Sequence, residues 1–76
     1  MSEKKPIILV PTDFSEAADT AVNHAAKIAK SFNGEVFLLH VVSSTKEVDA
    51  AKEKLDKIVV ATESKYGVNT HVIVRI

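Results

Sequence analysis

The sequence predicts an α/β fold: a three-stranded parallel sheet built in the order β-α-β-α-β. Three observations carry this. Short, nearly continuous apolar runs recur three times, two stretches of helical periodicity separate them, and each helical stretch ends at a glycine-containing turn. Alternation of this kind is the signature of βαβ units, whose strands are parallel.

The first strand is Ile7 to Val10, an apolar run that Pro11 stops. A run without polar alternation fits a strand buried on both faces. Helical spacing follows, with Ala18, Ala21, Val22, Ala25, Ile28, Ala29 and Phe32 at steps of three and four. Ser15 is placed to cap this helix, Glu16 and Asp19 suit its positive end, and Asn33-Gly34 supplies a left-handed stop.

Glu35 to Val42 reads as the second strand. Ser44 and Glu47 then have the spacing of a capping box. Val48, Ala51, Leu55, Ile58, Val59, Thr62 and Tyr66 mark one face of a second helix, and Gly67 closes it. Its other side carries Lys52–Asp56 and Glu53–Lys57, pairs worth a few tenths of a kcal/mol each. Asn69 to Ile76 forms the third strand, with Val72, Val74 and Ile76 on one face and His71, Ile73 and Arg75 on the other.

Both connections join parallel strands, so both should be right-handed crossovers. In the strand order 3-2-1 that rule puts the two helices on one face of the sheet. The opposite face is then apolar and bare, and it requires a cover.

Composition excludes several classes of function. The 76 residues hold ten Lys/Arg against ten Asp/Glu, so there is no excess charge to attract nucleic acid or an anionic membrane. No cysteine is present, which removes thiol chemistry and Cys-based zinc sites and fits a cytoplasmic protein. The longest apolar runs, Ile7–Val10, Val36–Leu39 and Ile58–Ala61, have four residues each, too few for a membrane span or a secretion signal.

No residue constellation points to catalysis. His24, His40 and His71 fall on three different elements with no metal-ligand spacing, and His40 reads as a packed or hydrogen-bonded residue at a strand end. Ser15 reads as a cap, with no nucleophile elbow around it. No catalytic and no metal-binding residues are assigned.

Two segments resemble a known family. Ile8-Leu9-Val10-Pro11-Thr12-Asp13-Phe14-Ser15-Glu16 resembles the opening of universal stress proteins, and Leu38-Leu39-His40-Val41-Val42 resembles the end of their second strand. The resemblance is close over residues 5–42 and general over 43–76. It implies half of a doubly wound, Rossmann-like domain of adenine nucleotide alpha hydrolase type, whose complete sheet has the order 3-2-1-4-5. Many members bind ATP and many form dimers. Carried over by position, Pro11, Thr12 and Asp13 would approach an adenosine, with Asp13 as the polar contact, and Val41 would pack on the base. Asp13 also has a plainer reading as a turn and helix-entry residue.

The phosphate-binding part of that family pattern, a glycine-rich loop after the fourth strand, has no counterpart here. Gly34 and Gly67 are both accounted for as helix stops. Residues 1–76 therefore read as a single truncated half-domain; a fragment, a truncation and an engineered half all fit.

Two functional expectations follow. One is a stress-response module with a partial adenosine site, at which ATP binding is weak or absent. The other is a structural half-domain that binds no nucleotide and self-associates, as a dimer or higher homo-oligomer, through its bare sheet face or the free edge of its first strand.

Overall fold

A computed structural model describes residues 5–76. Its elements are β1 (Ile7–Pro11), α1 (Glu16–Ser31), β2 (Glu35–Val41), a short 3₁₀ turn (Thr45–Glu47), α2 (Val48–Tyr66) and β3 (Thr70–Arg75). The sheet order is β1-β2-β3 with β2 central, the 3-2-1 arrangement expected. Both pairings are parallel, with Leu9 opposite Phe37 and Phe37 opposite His71. The chain belongs to the α/β class.

Strand parity decides which residues reach the core. Val10 of β1 and Val36 and Leu38 of β2 point to the helices and are buried. They form one cluster with Val22, Ala25 and Ala29 of α1, Leu55 of α2, and Val68 just before β3. Ile7, Leu9 and Val41 project from the opposite face and are exposed, while Phe37, Leu39 and Ile73 are half-buried there. Both helices thus cover one side of the sheet, and among the described residues the other, apolar side is bare.

Helix α1 differs from its expected face. Ala18, Val22, Ala25, Ala26 and Ala29 are buried, whereas Ala21, Ile28 and Phe32 are exposed, Phe32 by 67%. The physical reason is a rotation of the contact stripe. At about 100° per residue the buried set spans a narrow arc of small side chains that lets the helix lie close to the sheet. One flank of that arc meets α2, where the Tyr66 hydroxyl donates to Asn23 Oδ1 at 3.1 Å. Ile28 and Phe32 fall on the opposite flank, on the side of the free edge of β1.

The helix stops also divide their work differently. Asn33, with φ of 56°, takes the left-handed position after α1, and Gly34 does not. Gly34 N–H donates to the Ala29 carbonyl at 2.6 Å, which closes the turn. Its lack of a side chain serves a close approach: a Cβ there would lie 2.5 Å from the Pro6 carbonyl oxygen. Gly67 is left-handed, with φ of 67°, and ends α2 as expected.

The capping box at Ser44 and Glu47 does not form in its expected shape. The Ser44 hydroxyl makes no bond to a helix amide. Instead the Glu47 carboxylate accepts from the hydroxyls of Ser43 and Ser44, and a 3₁₀ turn leads into α2 at Val48. These hydroxyl bonds hold the Glu47 carboxyl below its ordinary value, that of Ser43 contributing most.

Candidate functional site

The carboxyl ends of parallel strands are where the backbone opens into connecting loops, and a crevice forms there. In this chain the turn between β1 and α1 closes one side of such a crevice and the end of β2 closes the other. Pro11, Thr12, Asp13 and Val41 all line a single open groove of about 510 Å³. Ser15, Ala17, Ala18, Leu39 and His40 complete its walls. All four residues singled out in the sequence are therefore brought together.

The turn is built from side-chain to backbone hydrogen bonds. Thr12 N–H donates to the Leu39 carbonyl at 2.8 Å, which carries the β1–β2 ladder one residue past Pro11. Pro11 ends β1 at a position whose nitrogen faces the free edge of the sheet, so its missing N–H removes no bond from the β1–β2 ladder. Thr12 is buried, and its Oγ1 accepts from Phe14 N–H at 3.1 Å. Asp13 Oδ1 accepts from Ser15 N–H at 3.0 Å. Ser15 Oγ accepts from Ala18 N–H at 3.1 Å, the helix cap expected of it.

Phe14 is a finding the sequence did not signal. Its φ is 66°, in the left-handed region that L-residues enter at a cost of roughly 1–2 kcal/mol. A bulky aromatic stays there only when its surroundings hold it. The Phe14 ring lies 4.4 Å from the His40 ring, and Lys54 Nζ sits 5.2 Å from its centroid. Such contacts are worth on the order of 0.5–1 kcal/mol each, comparable to the backbone cost.

Among the described residues Asp13 is the one carboxylate in the groove lining. Its pKa lies below the ordinary Asp value, chiefly through the hydrogen bonds with Ser15, with His40 adding a smaller electrostatic effect. The group is fully exposed and ionised near neutral pH. Oδ1 accepts from Ser15 N–H, and the exposed carboxylate can accept further hydrogen bonds. Val41, on the far side of the groove, offers an exposed apolar surface.

His40 faces the helix side of β2, and its Nδ1 lies 2.7 Å from the Thr12 carbonyl oxygen. The hydrogen-bonded strand-end role read from the sequence is the one observed. His24 is exposed on α1. His71 has an acidic neighbour that sequence reading did not find: its Nε2 is 2.5 Å from Glu35 Oε1, on the bare face of the sheet. The signal lay in the strand register, which sets Phe37 opposite His71 and so brings Glu35 within reach. Among the described residues no group of three or more His, Asp or Glu side chains is placed to hold a metal ion. Nor is any helix among them long and apolar enough to cross a membrane.

The universal stress protein family model matches residues 6–70. No curated protein sequence matches. A universal stress protein family member from Burkholderia pseudomallei superposes with a TM-score of 0.69 at 21% identity, over 99% of this chain and 65% of its own. A universal stress protein crystallised in complex with cAMP superposes with a TM-score of 0.59 at 18% identity, over 92% of this chain and 54% of its own. The chain thus spans less than two thirds of either structure, and at these identities the likeness is one of fold. The family match covers most of the chain and includes the Pro11–Glu16 turn and the end of β2: the chain belongs to the universal stress protein family.

Proposed function

We propose that this chain is a stress-response module whose groove forms the adenosine half of an adenine-nucleotide site. The observation that carries this reading is the convergence of Pro11, Thr12, Asp13 and Val41 on one groove at the carboxyl ends of β1 and β2. Asp13 is ionised and exposed, so its carboxylate suits the hydroxyls of a ribose. Val41 suits the face of a base. That a family member has been crystallised with cAMP supports an adenine nucleotide as the ligand class.

ATP is the expected ligand, and its phosphates gain little here. A phosphate cradle needs backbone N–H groups crowded together without side chains between them. The two glycines precede β2 and β3, at the opposite end of the sheet from the groove. A charge-assisted hydrogen bond contributes about 1.5–3 kcal/mol, and a base stacked on one Val adds little more. Such a site binds in the high micromolar to millimolar range, about −4 to −5 kcal/mol. The reaction class is binding; no catalytic role is assigned.

Calorimetric titration with adenosine, AMP and ATP tests the reading. Adenosine and ATP should bind within a few fold of each other, and Asp13→Ala should weaken both. ATP binding a hundredfold tighter than adenosine would overturn the partial-site reading.

In this proposal residues 1–76 act as half of a doubly wound domain in the cytoplasm. The bare sheet face, the free edge of β1 and the exposed Ile28–Phe32 flank support it, since all three lie where further strands and helices would pack. The same bare face favours a second reading, in which another copy of this chain covers it as a homodimer. Ile7, Leu9 and Val41 together expose enough apolar surface to be a liability alone. Sedimentation equilibrium decides this second reading: a monomer persisting at several hundred micromolar rules it out.

A further inference from the structure

We propose that His40 is a positioning residue that holds the Thr12–Ser15 turn and so aims Asp13 into the groove. Its link to ligand binding rests on the nucleotide reading above; its grip on the turn does not.

The argument begins with the Thr12 carbonyl. A carbonyl oxygen only accepts, so the 2.7 Å contact requires that His40 Nδ1 carry a hydrogen. In the neutral ring this fixes the Nδ1–H tautomer and leaves Nε2 unprotonated. No side-chain nitrogen or oxygen that is buried lacks a partner among the described residues, so Nε2 keeps contact with solvent. The tether also survives protonation, because Nδ1 donates in the imidazolium as well.

Thr12 is consequently pinned at three atoms. Its N–H is held by Leu39, its carbonyl by His40, and its hydroxyl by Phe14 N–H. Phe14 is kept left-handed with its ring against the same imidazole, 4.4 Å away. Asp13 lies between these two fixed residues, and its hydrogen bond goes to Ser15, two residues on, with His40 adding a smaller electrostatic effect. The direction of its carboxylate is inherited from Thr12 and Phe14, and both touch His40. One side chain from β2 thus serves both ends of the turn.

The test uses the full chain and two variants. His40→Phe keeps a ring for Phe14 to rest on and removes the donor. His40→Asn loses the ring and restores an N–H close to the Nδ1 position. Long-range ¹H–¹⁵N spectra of the wild type should show Nδ1 protonated and Nε2 bare near pH 8. In His40→Phe the amides of Phe14 and Ser15 should exchange about tenfold faster relative to that of Leu55, and His40→Asn should recover part of that loss. A purely structural role would move Leu55 equally. Adenosine affinity should fall about tenfold in His40→Phe and partly return in His40→Asn.

An Nε2–H tautomer, or unchanged exchange at Phe14 and Ser15, overturns the proposal. If His40→Phe does not fold, the tautomer of the wild type and the exchange in His40→Asn decide. A wild type that binds no adenosine, together with a turn that loosens in His40→Phe, overturns the nucleotide reading and supports the positioning role.

Discussion

The imidazole of His71 lies nearly flat against the ring of Phe37, with 4.5 Å between centroids and 25° between planes. The two residues are opposite one another in the β2–β3 register, and His71 also reaches Glu35 on the same strand as Phe37. The triplet is a small polar and aromatic patch within the bare apolar face.

A cross-strand pair of this type contributes about 0.2–1 kcal/mol, and the partly exposed contact with Glu35 adds little after solvent screening. His71→Ala should cost about 0.5–1 kcal/mol in urea unfolding. A double-mutant cycle with Phe37→Leu should return most of that as coupling. Additive single mutants would mean that the stacked geometry contributes nothing to stability.

The two glycines should respond to substitution for different reasons. Gly34→Ala drives a Cβ to 2.5 Å from the Pro6 carbonyl oxygen, a backbone atom that cannot rotate away. A loss of about 1–3 kcal/mol is expected, as for overpacking. Gly67→Ala meets nothing within 4 Å but must hold φ of 67°, which costs about 1 kcal/mol. Asn33→Gly relieves its left-handed backbone and should change stability by less than 0.5 kcal/mol. Unfolding midpoints in urea give the ranking, and Gly34→Ala proving neutral would contradict the close approach.

Core and flank are separable by the same measurement. Leu55 is fully buried against the sheet, so Leu55→Ala should cost about 2–5 kcal/mol. Ile28, 51% exposed, should cost less than 1 kcal/mol as Ile28→Ala. A large loss at Ile28 would show that its flank is covered in solution, as self-association would require.

These contrasts mark where the sequence was readable. The βαβαβ order follows from apolar runs that act over many residues; the 3-2-1 order was implied by the family resemblance, and crossover handedness then leaves one sheet face bare. Ser15 and Gly67 were legible because a cap and a left-handed stop are local chemistry. The rotation of α1 was not. Its face is mostly alanine, so hydrophobic contrast around the helix is weak, and packing distance to the sheet decided which side turned in. Within the site, Pro11, Thr12, Asp13 and Val41 could be named from motifs, and the groove does gather them. Phe14 could not, and for His40 only a packed or hydrogen-bonded role was legible, not its partner, since a left-handed phenylalanine and a tether across 28 residues exist only once β1 and β2 are aligned. Glu35 with His71 likewise depends on register, and Glu47 chose the serine hydroxyls over the amide its spacing suggested.

Acid sensitivity at the groove has a definite sign. Asp13 has its pKa below the ordinary Asp value of 3.8, through its hydrogen bonds with Ser15. The folded chain therefore holds that proton less tightly than the unfolded chain does, and the ionised carboxylate stabilises the turn. Its contribution is complete above about pH 4 and is lost as pH falls through the folded value. Asp13→Asn keeps an oxygen for Ser15 N–H and removes the charge. The stability difference between wild type and this variant should be constant from pH 7 to 5 and should shrink below pH 4. Titration of the Asp13 side-chain ¹³C signal should give a midpoint under 3.8. A midpoint at or above that value, or a difference that grows in acid, would mean that Ser15 does not hold the ionised carboxylate in the turn.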